Sequence, residues 1–378
     1  MKREHTLLLV GIAIKTAIVW GAVALLTHII PYEGNFPYGE ILNEYAPSFL
    51  RPLANFDGLH YILIARMGYS QYEQAFFPLF PSLIHIVASL LQRNYLLAGI
   101  LIANISFILG VLLLYATSKH LLEKGNRFWF ISLYLSFPTA FFFNTLYTES
   151  VFLLFVTLAL LLLIKQHYAV VAALLGASLT RLTGVFLFFP AVLIATQHKQ
   201  KRWLSIISVS APLIGLLLYM AYLWYTTGDP LYFFTAQPAF GANRSTNLIL
   251  LPQVYYRYLR ILTTADLSVA YGVAVIEVTL FTIMFVAVCL EGWYLFQKNR
   301  YQKLPLQTGI LLFSLATLIL PTLTGTFSSV PRYCLFSISS FLYLARIQSV
   351  GVKIVLCVIF AFAQLLLATM FIQGYFVS

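Results

Sequence analysis

Long apolar runs return along the chain from residue 6 to residue 374, separated by short clusters of basic residues, and no other feature constrains the fold as much. About 20 consecutive apolar residues cross a bilayer as a helix. The runs over 6–30, 95–118, 128–146, 150–165, 169–197, 203–226, 268–297, 307–323, 333–346 and 352–374 therefore read as membrane segments, with 150–165 and 333–346 short for a full span. With 61% hydrophobic and only 9% charged residues, an ordinary water-soluble enzyme is excluded. The expectation is an all-α polytopic membrane protein, one integral membrane domain over 1–378, whose first helix follows Met1-Lys2-Arg3 and is not cleaved.

The net charge of +11 points to nucleic acid only in a soluble protein; here the basic residues sit between apolar runs and read as a topology signal. No nucleic-acid partner is expected. Cys289, Cys334 and Cys357 lie in or beside apolar segments without CxxC spacing, which supports neither a disulfide framework nor a zinc site. Placing the N-terminus in the cytoplasm puts Lys2, Arg3, Lys119, Lys124, Arg127, Lys165, Lys199, Lys201, Arg202, Lys298, Arg300, Lys303, Arg346 and Lys353 inside. It leaves Arg51, Arg66, Arg93, Arg244, Arg257, Arg260 and Arg332 outside. Every interhelical lysine is then inside, and the outer basic residues are all arginine.

This accounting requires 169–197 to enter and leave on one side, so it reads as two half-helices, 169–180 and 184–197, broken around Thr180-Arg181-Leu182-Thr183-Gly184. Irregular backbone at membrane depth survives where protein or a water-filled cavity satisfies it, so a cavity near Arg181 is implied. Two outer segments are too long to be plain connections: 31–94, with an interfacial amphipathic helix after Phe76-Phe77-Pro78-Leu79-Phe80-Pro81, and 227–267.

Candidate chemistry falls in these outer parts. Asp57, in Asn55-Phe56-Asp57-Gly58-Leu59-His60-Tyr61, is the best general base in the sequence, since a carboxylate held half out of water gains basicity toward an acceptor hydroxyl. A helix-capping aspartate is the plainer reading. Glu149 sits in a tight outer turn, as a site residue or as an acidic residue favoured by a helix N-terminus. Arg181 inside the membrane needs a carboxylate, a phosphate or exposed carbonyls; Glu277 is one available partner, and the pair would then be structural. Arg332, in Ser328-Ser329-Val330-Pro331-Arg332-Tyr333, offers fork-shaped recognition of phosphate at the outer boundary, or meets a lipid headgroup. Gly228-Asp229-Pro230-Leu231 with Ala236-Gln237-Pro238 opens the second large loop. Asn243-Arg244-Ser245 matches a glycosylation acceptor pattern, relevant only in a eukaryotic secretory host. No Walker loop, Rossmann fingerprint, nucleophile elbow or His-Glu-x-x-His motif occurs.

Taken in order, Phe56-Asp57-Gly58-Leu59-His60 with Ile64-Ala65-Arg66-Met67-Gly68-Tyr69, Ala75 to Pro81, Tyr147-Thr148-Glu149-Ser150, Thr180 to Gly184, Gly228 to Leu231 with Ala236-Gln237, and Pro331-Arg332-Tyr333 resemble the PIG-V-type membrane mannosyltransferases, within the GT-C class of glycosyltransferases. Phe56 stands where the family commonly has tryptophan, and Leu182-Thr183 where it tends to have Ser-Asn.

The resemblance implies a GT-C fold of about 11 membrane segments and an outward or lumenal cavity. It implies transfer of a sugar, with mannose the one expected, from a polyprenyl or dolichyl phosphate donor to a lipid- or glycan-linked acceptor hydroxyl. Asp57 takes the position of the general base, and inversion follows by analogy with inverting glycosidases. The outer arginines then stabilise the departing phosphate, on the order of 3 kcal/mol per donor, Arg332 first and Arg181 second. His60, Glu149, Arg66, Asp229, Gln237 and Tyr333 are expected to contact acceptor or substrate. His60 and Glu149 are also the residues that would bind a divalent cation if one is needed. A lipid-linked sugar flippase, or a non-catalytic membrane subunit, is the alternative.

Overall fold

The computed structural model describes residues 2–33, 39–197, 202–240, 244–297 and 304–377. Lys199, Lys201, Lys298, Arg300 and Lys303 of the charge accounting, and Asn243 of the glycosylation pattern, lie outside the described residues. Every element among the described residues is helical. Among the described residues six helices are long and apolar enough to cross a membrane: Leu8–Leu26, Tyr95–Leu121, Arg202–Thr227, Val269–Gln297, Pro305–Thr322 and Val350–Ile372. The protein is an all-α, multi-pass integral membrane protein.

Two of the expected spans are shorter than the hydropathy suggested. The run over 128–146 is not one helix: Lys124–Ser136 stops before Pro138, and Ala140–Asn144 is a 3-10 turn. A residue preceding proline is pushed out of helical backbone, and Phe137 is extended there (φ −53°, ψ 139°). The run over 333–346 divides into Val330–Cys334 and Ile338–Arg346. These pieces, with the Glu149–Lys165 helix, are buried against other helices. Their apolarity reflects protein neighbours on nearly all sides.

The break in 169–197 is where the charges place it. Val170–Thr180 ends at Arg181, which is extended (φ −152°, ψ 145°), and a 3-10 turn over Leu182–Leu187 leads into Phe188–Ala195. Gly184 lets the turn fold back on the first half: a Cβ there would lie 2.4 Å from the carbonyl carbon of Ala177. The 31–94 segment holds the expected short amphipathic helix, Leu79–Leu90, whose Phe80, Ile84 and Ala88 are buried at four-residue spacing. It packs on both Asp57–Met67 and Tyr95–Leu121, and Asn94 caps the latter by accepting from the Leu97 N–H at 3.0 Å.

Arg127 and Arg346, both assigned to the inner side, meet at the C-terminal end of the Tyr95–Leu121 helix, where Arg127 donates to the Leu122 carbonyl at 3.0 Å. Arg346 pairs with Glu291 and donates to the Leu121 carbonyl at 3.1 Å, which also accepts from Gln307 Nε2 at 3.2 Å. The candidate site residues cluster elsewhere, where the long loops meet.

Candidate active site

Asp57 opens the Asp57–Met67 helix, and the chain enters it through Phe56, whose φ of +56° is a conformation that non-glycine residues seldom adopt. Strain of this kind costs on the order of 1–3 kcal/mol and persists where neighbours impose it. Here they do. The Phe56 ring packs against Phe371 and Phe376 at centroid separations of 6.0 and 5.4 Å. Asn55 donates to the Phe371 carbonyl at 2.9 Å, and the Tyr147 hydroxyl donates to the Asn55 carbonyl at 2.8 Å. A backbone bond from Leu146 N–H to the Leu53 carbonyl joins the same loop to the 145–148 turn. Asp57 is thus aimed by the last helix and by the turn that carries Glu149.

Its partner is Arg332, launched in the same manner. Ser329, at φ +66°, precedes the short Val330–Cys334 helix, and Thr139 holds that helix by donating to the Pro331 carbonyl at 2.9 Å. Arg332 Nη1 lies 2.8 Å from Asp57 Oδ2, with the guanidinium 5.3 Å from the ring centres of both Phe142 and Tyr147. Burial pushes the Asp57 carboxyl up, but the charge and hydrogen bond of Arg332, assisted by Arg244 and His60, outweigh it and hold the group below its ordinary value. Burial likewise works against the charge on Arg332, and Asp57 with Glu149 more than restore it. In the resting site both partners are ionised.

Arg181 pairs with Glu149, not with Glu277. Its Nη1 lies 2.6 Å from Glu149 Oε1 and 3.3 Å from the Thr148 hydroxyl, and its guanidinium stacks 4.5 Å from the Tyr333 ring centre. Glu277 instead accepts from the Tyr258 hydroxyl at 2.6 Å. Glu149 is fully buried, which removes the reading of it as a solvated helix-terminal residue. The same Oε1 is 3.9 Å from Arg332 Nη1, so the two ion pairs form one chain, Arg181–Glu149–Arg332–Asp57.

Asp57, Arg332 and Arg181 of this chain border a cavity of about 200 Å³. Asp57, Arg181, Arg332, Tyr333 and Gln237, all singled out in the sequence, line it. Phe233, Phe234, Phe240, Leu248 and Leu320 give it an apolar side. His60, Arg66, Asp229 and Glu149 are not part of the wall. His60 bonds Glu73 at 3.2 Å and stacks on Phe76; Arg66 is exposed and pairs with Glu44 at 2.7 Å; Asp229 accepts from Leu231 N–H and the Thr235 hydroxyl, holding its own turn. Sequence reasoning missed Arg244 and Thr148 as lining residues. The one available signal for Arg244 was its place among the outer arginines. Among the described residues no three His, Cys, Asp or Glu side chains converge to hold a metal ion. Asp57 and Glu149 each face a guanidinium.

Fold and site together define a helical membrane protein with a partly apolar, arginine-lined cavity and a single carboxylate at its wall that is neither fully buried nor free. No family model matches the chain, and no solved structure matches it. Two curated proteins do, both GPI mannosyltransferase 2, from the JEC21 and B-3501A strains of Cryptococcus neoformans var. neoformans serotype D. Each is 31% identical over 149 residues, 36% of this chain and 35% of the relative, so the match spans about a third of the length of either. These relatives bear out the resemblance to the PIG-V-type mannosyltransferases that the motifs carry.

Proposed function

We propose that this chain is a membrane glycosyltransferase that moves a mannosyl group from a polyprenyl phosphate donor to a hydroxyl of a glycolipid acceptor. The observation that carries the reading is the Asp57–Arg332 pair at the wall of a cavity with an apolar side. The Cryptococcus neoformans relatives, by their name, act as mannosyltransferases on GPI, which supports mannose as the sugar and a glycolipid as the acceptor. The cavity faces the lumenal or outer side, in keeping with the charge accounting.

In the reaction the acceptor oxygen forms a bond to the anomeric carbon as the bond from that carbon to the phosphate oxygen breaks. The acceptor proton goes to Asp57, and the electron pair of the broken bond stays on the phosphate. One base and one displacement invert the anomeric centre. The pair also couples the two halves of this step. While Arg332 holds Asp57, the carboxylate is a weak base; as the phosphate gains charge it draws the guanidinium away, and the basicity of Asp57 rises at the moment a proton must be taken. Arg181, fixed by Glu149 and Tyr333, supports the same phosphate from the other side of the chain of charges.

Asp57→Asn tests the assignment. Purified protein given dolichyl phosphate mannose and a glycolipid acceptor should lose turnover by roughly 10²–10⁴-fold while still binding donor. A flippase would move lipid-linked sugar across vesicles equally well with either residue, and that result would overturn the reading.

A further inference from the structure

The charges of the cavity do not cancel. Among the described residues three guanidinium groups line it, those of Arg181, Arg332 and Arg244, against one lining carboxylate, Asp57, with Glu149 buried behind the wall. Arg181 and Arg332 are each held by a carboxylate within 3 Å. Arg244 is not: its Nη1 donates to Gln237 Oε1 at 3.1 Å and its Nη2 to the Ser329 hydroxyl at 3.0 Å, both neutral. Among the described residues no carboxylate lies within ion-pair distance of it. It is half-buried, and its charge reaches the carboxylates of Asp57 and Glu277 only beyond ion-pair distance. Both of its partners belong to the cavity wall, and Ser329 is the strained residue that launches Arg332.

We propose that Arg244 is the residue that captures the phosphate of the lipid-linked donor in the resting site, before Arg332 is drawn from Asp57. This rests on the transferase reading above and assigns within it a division of labour. A phosphate arriving at Arg332 must first compete with a carboxylate 2.8 Å away, whereas at Arg244 it displaces only neutral acceptors. The planar fork of Arg244, oriented by Gln237 on one arm and Ser329 on the other, suits two phosphate oxygens. Capture at Arg244 brings the anion into the cavity that Arg332 also lines, where bond breaking then recruits the second guanidinium.

The split between binding and turnover tests this. With wild-type protein in detergent, binding of tritiated dolichyl phosphate and mannosyl transfer from dolichyl phosphate mannose are measured side by side with Arg244→Gln and Arg332→Gln. Arg244→Gln should weaken dolichyl phosphate binding and raise the donor KM by tenfold or more with kcat within a few-fold of wild type, while Arg332→Gln should chiefly lower kcat. Unchanged dolichyl phosphate binding in Arg244→Gln, in a wild type that does transfer mannose, overturns the proposal and leaves the transferase reading intact. A wild type that neither binds dolichyl phosphate nor transfers mannose fails the transferase reading itself, and the assignment of Arg244 falls with it. If the glutamine variant does not accumulate, Arg244→Lys decides: a folded lysine variant with weakened capture supports the role, because the point charge remains and the fork is lost, and wild-type capture overturns it.

Discussion

At the scale of single residues, the site is a set of ionised groups that hold one another in reserve. Burial raises Asp57, and Arg332 together with Arg244 and His60 lowers it by more. A carboxyl whose folded value is depressed lends stability above its unfolded value and loses it as pH falls through the folded one. The acid limb of kcat/KM for the free enzyme should therefore lie below the ordinary carboxylate range. In Arg332→Gln burial acts without its main opponent, and the limb should shift to higher pH; a limb that stays in place in this variant would separate the pair from the chemistry. Glu149 carries a different load. It is fully buried, holds Arg181 at 2.6 Å, and its Oε2 has no protein partner. Glu149→Gln leaves a buried guanidinium uncompensated, so stability should fall by roughly 3–5 kcal/mol, read as a large drop in the thermal unfolding midpoint in detergent.

At the scale of elements, function depends on short, irregular pieces more than on long helices. Phe56 is the clearest case: its positive φ aims Asp57, and its ring is what Phe371 and Phe376 grip. Phe56→Ala should reduce kcat while leaving donor KM near wild type, and Phe56→Trp, the residue common in the related family, should retain most activity; equal kcat in all three proteins would mean that the ring does not position the aspartate. The long helices and the broken 169–197 segment were legible in the sequence because apolar length and basic flanks are properties of contiguous residues. The same signal overstated 128–146, since hydropathy does not register the stop that Pro138 imposes on the preceding residue. The site was legible in part. Asp57, Arg181 and Arg332 stood out as polar groups in apolar surroundings, but the partner of Arg181 did not, because Glu149 lies 32 residues away in sequence and only packing brings it near. Arg66 shares a helix with Asp57 but lies on the opposite side of it, and His60, one turn from Asp57 on the same face, is held away by its bond to Glu73 and its stacking on Phe76.

At the scale of the whole molecule, the two ends of the bundle do separate work. The end opposite the cavity is tied by Arg346, Glu291, Gln307 and the Leu121 carbonyl, none of which touches the catalytic groups. Glu291→Gln should lower the thermal unfolding midpoint with no change in donor KM, measured on the fraction that remains folded; a raised KM would reveal coupling between the ends. At the cavity end the ties run between the extremes of the chain. Gln373 donates to the carbonyls of Thr27 and Ile30 at 2.6 Å, and its own carbonyl accepts from the Glu33 N–H at 2.8 Å. Asn55 and Phe56 lean on Phe371. During synthesis, Asp57 emerges more than 300 residues before the aromatic brace that sets its direction. On the proposed function, a nascent chain halted before that brace has been inserted holds the aspartate without its bearing and should transfer no sugar.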